Sequence, residues 1–201
     1  MNGSSIDRAD FAAIGQWIRS GSRVMDLGCA DGELLKYLRE TKKVSGYGVD
    51  IDDGHVLACV KNGVNVIQRN LEEGLGEFED QSFDYVILSQ TLQAMRHGER
   101  IIREMLRVGR EGIVTFPNFG YWKNRLQVLK GVMPVSEHLP YEWFDTPNIH
   151  LCTLADFESF CVKRDIRILQ RQVLTEGKKV RYLPNLRGAL AIYHFGARSQ
   201  T

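Results

Sequence analysis

The chain has 201 residues, 43% hydrophobic and 25% charged, enough apolar material for one substantial core and a length that suits one domain better than two. A formal net charge of +1 leaves no positive excess to neutralise a phosphate backbone, which argues against nucleic acid as a partner. The four cysteines, Cys29, Cys59, Cys152 and Cys161, form no C-x-x-C pair and no metal-ligand spacing with the histidines, and no apolar run approaches a membrane span. A cytoplasmic protein with reduced thiols, no metal and no membrane partner is expected.

Short β-rich runs alternate with helical patterns along the chain, the sign of a parallel sheet with helices on both faces. Residues 6–19 place Ile6, Phe11, Ile14, Trp17 and Ile18 at helical spacing, with Asp7 and Asp10 early, and predict a leading helix. Strands are predicted at 23–27, 45–51 and 64–69, with helices at 32–40 and 53–62 between them. Residues 72–82 are acidic and contain glycine, and read mostly as loop with room for a short helix. FDYVIL at 83–88 is the clearest central strand. A helix at 100–108, carrying Ile101, Ile102, Met105, Leu106 and Val108, stops near Gly109, and a strand at 112–116 follows. Thr153 is placed to cap a helix through residue 163, with Asp156 in its first turn. Two final strands, at 166–174 and 188–195, flank a loop containing Lys178, Lys179 and Arg181.

The first strand ends in VMDLGCADGE, residues 24–33. In an open α/β sheet a ligand sits beyond the carboxyl ends of the strands, where a glycine turn lets the backbone approach and a helix amino terminus offers free N–H groups. Gly28 and Gly32 supply that freedom, but their spacing does not match the dinucleotide fingerprint G-x-G-x-x-G. Asp26-x-Gly28-x-Ala30-x-Gly32 resembles instead the glycine loop of class I S-adenosylmethionine-dependent methyltransferases, which has a third glycine at the position of Ala30. At a negative φ the Ala30 methyl is harmless. In a left-handed conformation it costs of order 1 kcal/mol.

That resemblance implies roles for the next strand ends. Asp50, in YGVDID, stands where the family places an acid that accepts hydrogen bonds from the ribose hydroxyls. Asn70 follows the third strand, where the family often has an acid for the adenine amino group, and its amide oxygen can still accept. Ile51 and Leu71 would give apolar contact to the adenine faces, and Ser89 and Gln90 follow the fourth strand near the methionine end. Asp26 would orient the loop, and Cys29 is read as a small loop residue. Taken singly, the glycines also read as an ordinary tight turn, and Asp50 as a turn residue or helix cap.

Residues 117–152 form an insert dense in aromatics: Phe119, Tyr121, Trp122, Tyr141, Trp143 and Phe144. A short helix at 124–130 is expected within it. Inserts of this length at the ligand end serve as lids or interaction surfaces, or their rings pack a satellite core. His150 is the one candidate catalytic residue, as a general base; a histidine bonded to loop backbone is the alternative.

RVMDLGCADGELL, YGVDID, EMLRVGREGIVTFPNFGYW, MPVSEHLPY and TPNIHLCTLADFE together resemble the MetW family of methionine biosynthesis proteins over residues 6–195. The resemblance implies a Rossmann-like class I methyltransferase fold: a mostly parallel seven-stranded sheet with helices on both faces and an antiparallel final strand, in a single domain over 1–201. It implies binding of S-adenosylmethionine or S-adenosylhomocysteine, and homoserine O-acyltransferase as the partner whose activity the protein supports. The other function kept open is methyl transfer from S-adenosylmethionine to a small molecule.

Overall fold

The computed structural model describes residues 9–198, so Ile6 and Asp7 of the expected leading helix lie outside the described residues. The chain runs α1 (Ala9–Trp17), β1 (Arg23–Leu27), α2 (Glu33–Lys42), β2 (Ser45–Asp50), α3 (Asp53–Lys61) and β3 (Val66–Gln68), then β4 (Phe83–Ser89), α4 (Gly98–Val108), β5 (Gly109–Pro117) and α5 (Trp122–Leu129). It continues through α6 (Leu154–Lys163), β6 (Ile166–Thr175), β7 (Lys178–Lys179), α7 (Pro184–Arg187) and β8 (Leu190–Ala197).

The strands form one sheet in the order β3-β2-β1-β4-β5-β8-β6-β7. From β3 to β5 all pairings are parallel, and β8 runs antiparallel between β5 and β6. The chain winds outward from β1 to β3 and then crosses back to β4. This puts the topological switch, and the crevice where such sheets take ligands, between the ends of β1 and β4.

Two apolar layers cover the sheet. Alternation along β1 sends Met25 and Leu27 to the face packed by Ile101, Ile102 and Met105 of α4 and Phe157 of α6. Val24 faces the other side, against Ile14 of α1 and Leu34, Leu35 and Leu38 of α2. Burial on both faces explains why the central strands read as nearly unbroken apolar runs.

Several boundaries differ from the sequence expectations for identifiable reasons. The eighth strand, β7, pairs Lys178 and Lys179 with Thr175 and Leu174 across a turn in which Glu176 and Gly177 have φ of 49° and 70°. Two left-handed residues suit a tight hairpin, but the exposed lysines carry no apolar alternation to mark a strand. β5 begins at Gly109 because Gly109 and Glu111 already pair with Phe83 and Tyr85 of β4. β3 is shorter than its apolar run, α5 starts at Trp122, and the one-turn α7 opens on Pro184 without a sequence signal.

The start of α6 follows its sequence signal. The Thr153 hydroxyl accepts from the Asp156 N–H, and the Asp156 carboxylate accepts from the Thr153 N–H at 2.9 Å. We expect Thr153→Ala to lower unfolding stability by about 1 kcal/mol in urea denaturation. Thr153→Ser should retain most of it.

Candidate functional site

Beyond β1 the chain turns through Gly28, Ala30 and Gly32 with φ of 69°, 47° and 76° before α2 begins. The Gly28 and Cys29 N–H groups both donate to the Val49 carbonyl, at 2.8 and 3.2 Å, stitching the loop to β2. Both glycines are required by space as well as by backbone angle. A Cβ at Gly28 would lie 2.5 Å from Thr91 Oγ1, and one at Gly32 would lie 3.0 Å from Cys59 Sγ. Ala30 therefore adopts the strained alternative weighed from the sequence, a left-handed alanine on an exposed loop.

The strain at Ala30 is held by its neighbours. Its N–H donates to Asp50 Oδ2 at 2.9 Å, and its carbonyl accepts from the Cys59 thiol at 3.1 Å. Asp50 itself is buried, at 7% exposure. Its Oδ1 accepts from the Asp52 N–H at 3.0 Å and lies 3.1 Å from His55 Nδ1. With two contacts already on Oδ1, the lone pair left for a ligand hydroxyl is on Oδ2. Asp52 caps α3 by accepting from the His55 N–H, so one short segment shapes the acid and starts the helix.

Asp26 lies deeper, at 2% exposure, and its Oδ1 has no hydrogen-bond partner among the described residues. Burial, and next the negative charge of Asp50, push its carboxyl from the ordinary 3.8 up to about 8. Cys29 and Cys59 sit with sulfurs 3.6 Å apart, and burial raises both thiols, so neither is poised as a thiolate.

The remaining sequence candidates are distributed around this centre. Asn70 caps the turn Leu71–Glu73, its Oδ1 accepting from the Glu72 N–H at 3.0 Å, so the expected adenine acceptor already has one protein donor. Leu71 is partly buried against the core, whereas Ile51 is 61% exposed. Ser89 pairs with the Thr115 hydroxyl at 3.1 Å, and Gln90 follows with a left-handed φ of 50°. His150 is set apart from the glycine loop: its Nε2 lies 3.3 Å from the Arg96 carbonyl, and its N–H donates to the Gln93 carbonyl. The loop-backbone setting therefore describes His150 as it stands.

Sequence reading missed the groups that hold the loop. His55, Cys59, Asn62, which donates to the Asp31 carbonyl at 2.8 Å, and Thr91 each come from a different turn or helix position. None carries a motif, and only the packing of α3 and the segment after β4 brings them together. Among the described residues no group of three or more His, Cys, Asp or Glu could hold a metal, and no helix is long and apolar enough to cross a membrane.

Comparison with known proteins adds to this geometry. The family model described as "Methionine biosynthesis protein MetW" matches residues 8–195. The chain is 39% identical over 157 residues to the bifunctional methionine biosynthesis protein MetXA/MetW of Rhodopirellula baltica, covering 73% of this chain and 25% of that protein. It thus spans about a quarter of that relative's length. Among solved structures, the complex of a Haloferax volcanii methyltransferase with the Trm112 activator superposes with a TM-score of 0.69 at 14% identity, covering 97% of this chain and 92% of the matched one. The [4+2]-cyclase SpnF superposes with a TM-score of 0.66 at 15% identity, covering 96% and 80%. The fold is therefore that of class I methyltransferases, and a cyclase shares it.

Two outcomes follow from the loop. Ala30→Gly relieves a left-handed alanine, and equilibrium denaturation should show a gain of up to about 1 kcal/mol, reduced by the added entropy of an unfolded glycine. Because Asp26 holds its proton more tightly when folded, its contribution to stability is fullest below its ordinary value near 3.8 and falls as pH rises towards about 8. Asp26→Asn should remove that fall. Its stability relative to the unaltered chain should rise by up to about 1.4 kcal/mol per pH unit across this window, measured as urea midpoints at matched pH.

Proposed function

The chain belongs to the MetW family of methionine biosynthesis proteins, and from that premise we propose that it binds S-adenosylmethionine or S-adenosylhomocysteine and supports a homoserine O-acyltransferase as an accessory partner in the cytoplasm. In this reading residues 1–201 act as one domain and the insert 117–152 is the contact surface.

The exposed aromatic insert is the observation that carries the partner half. Trp143 and Phe144 are 72% and 70% exposed and meet edge to face at 5.7 Å, and Leu129 is 82% exposed. A monomer gains nothing by presenting such rings to water, whereas aromatic anchors dominate protein interfaces. The insert is tied down at both ends. Fully buried Asn118 donates to the Asn185 and Gly188 carbonyls at 3.0 and 2.7 Å, and the Ile149 and His150 N–H groups donate to the Gln93 carbonyl. A surface held in this way loses less entropy on docking than a free loop. The two-function relative from Rhodopirellula baltica, whose printed name joins MetXA to MetW, points the same way.

The cofactor half rests on fit at the β1 and β2 ends. The glycine turn closes only without side chains at positions 28 and 32, where Thr91 packs against the first and Cys59 and Val64 against the second. The unpartnered Asp26 oxygen is a buried acceptor suited to a ligand cation or its bridging donor, and Asp50 Oδ2 keeps capacity for a hydroxyl. Ile51 offers an exposed apolar face beside it. When bound, S-adenosylmethionine supplies a positively charged sulfonium bearing a transferable methyl. These residues would bind and orient the group, and a cation beside Asp26 would favour its ionised form. The second reading, methyl transfer to a small molecule, draws on the likeness to methyltransferase structures and asks for little beyond alignment.

Co-elution with purified homoserine O-acyltransferase tests the partner half. The complex should form with the intact chain, and Trp143→Ala with Phe144→Ala should weaken it by about 10- to 100-fold while leaving heats of S-adenosylmethionine binding unchanged. Absence of any complex, or a complex indifferent to both changes, removes the accessory reading. Methyl transfer to a small molecule without the acyltransferase would put the second reading in its place.

A further inference from the structure

A cavity of about 690 Å³ lies between the segment after β4, the start of α4, the end of β5, residues 150–152 of the insert and α6. It contains none of Asp26, Gly28, Gly32, Asp50 or Asn70, so it is separate from the residues of the proposed cofactor site. Its size falls in the ordinary range for small-molecule sites. Its walls are apolar, formed by Leu92, Ile102, Phe116, Leu151, Phe157 and Phe160.

The polar groups of the cavity differ in what they have left to offer. Glu99 is held by Arg103 at 2.8 Å and Arg164 at 2.9 Å, and Asp156 is occupied by the cap of α6. Arg100 donates to the Glu72 and Glu73 carbonyls and acts on the Glu104 carboxylate. Arg96 lines the cavity and is exposed, and its guanidinium makes no ion pair among the described residues. In the wall, Gln93 donates through Nε2 to the Gln90 carbonyl at 2.6 Å, which leaves Oε1 buried with no partner among the described residues. Glu99 is thus paired with two arginines, Asp156 is held by the Thr153 N–H and hydroxyl, Arg96 has no carboxylate partner among the described residues, and Gln93 Oε1 faces no protein donor.

We infer that this cavity is a binding site for a free small molecule with an apolar body and an anionic head group. The body replaces water against the phenylalanines, and the head group meets Arg96, where a carboxylate can take a forked pair of hydrogen bonds. A hydroxyl or amide N–H on the ligand would satisfy Gln93 Oε1. A cationic amphiphile would bring a like charge against Arg96. The site rests on neither the cofactor nor the acyltransferase, so its failure leaves the proposed function standing, and the reverse also holds.

Calorimetry on the isolated chain with decanoate, decanol and decylamine tests this, with no S-adenosylmethionine or acyltransferase present. Decanoate should bind with sub-millimolar affinity and at least tenfold more tightly than decylamine. Arg96→Ala, a change at an exposed position that should not disturb folding, should weaken decanoate by about tenfold or more and leave decanol unchanged. A photoreactive decanoate analogue should label α4, α6 or residues 150–152. Vesicles of phosphatidylglycerol should not sediment the protein, because the site takes a single molecule and not a bilayer surface. No heat at about 1 mM decanoate, equal affinity for decylamine, labelling confined to other elements, or binding to vesicles in place of free decanoate would each overturn the inference.

Discussion

The buried carboxylate of Asp50 is the point on which the ligand end of this molecule depends. One oxygen holds the Ala30 N–H and the other holds the Asp52 N–H and faces His55. The turn after β1 is thereby fixed to the end of β2 and the start of α3, which follow it 20 residues later in the chain. A charged acceptor serving backbone donors is among the stronger hydrogen-bonding arrangements available to a protein. It also lets the loop keep a left-handed alanine where glycine would be easier, because strain persists when its surroundings over-determine it.

The same carboxylate has an electrostatic consequence. Asp26 stands on the neighbouring strand, buried with one unpartnered oxygen, and the combination of desolvation and the charge of Asp50 favours its protonated form. Two acids converge on the crevice in different settings, Asp50 engaged by backbone donors and Asp26 buried with its proton held tightly. Cys29 and Cys59 fill the space behind the turn as protonated thiols, contributing packing and one hydrogen bond to the Ala30 carbonyl.

The opposite balance holds in the insert. Asn118, with no solvent exposure, and the Gln93 carbonyl anchor its two ends, and Tyr121 packs inward at 6% exposure. Trp122, Tyr141, Trp143 and Phe144 stay at least partly in water. The aromatics therefore do two jobs: a minority secures the segment and the majority forms a surface. The rings are divided between packing and exposure, and the buried ones hold the exposed ones in place.

The sequence by itself determined the architecture and set the glycine turn and Asp50 at strand ends. Period-two and helical patterns located β1, β2, β4, α4 and α6, because burial on both sheet faces writes itself directly into residue order, and the Thr153 cap and the glycine turn are local chemistry. Asp50 and Asn70 were legible as strand-end residues for the same reason. Tertiary structure alone decided the rest. Whether Ala30 was strained depended on a φ set by Asp50, the proton on Asp26 depended on burial by other strands, and His55 and Thr91 entered the site only through packing of segments without a motif. The exposure of Trp143 and the cavity beside Arg96 were likewise undecided, because solvent access and charge pairing belong to neighbours in space, and the order of residues along the chain does not contain them.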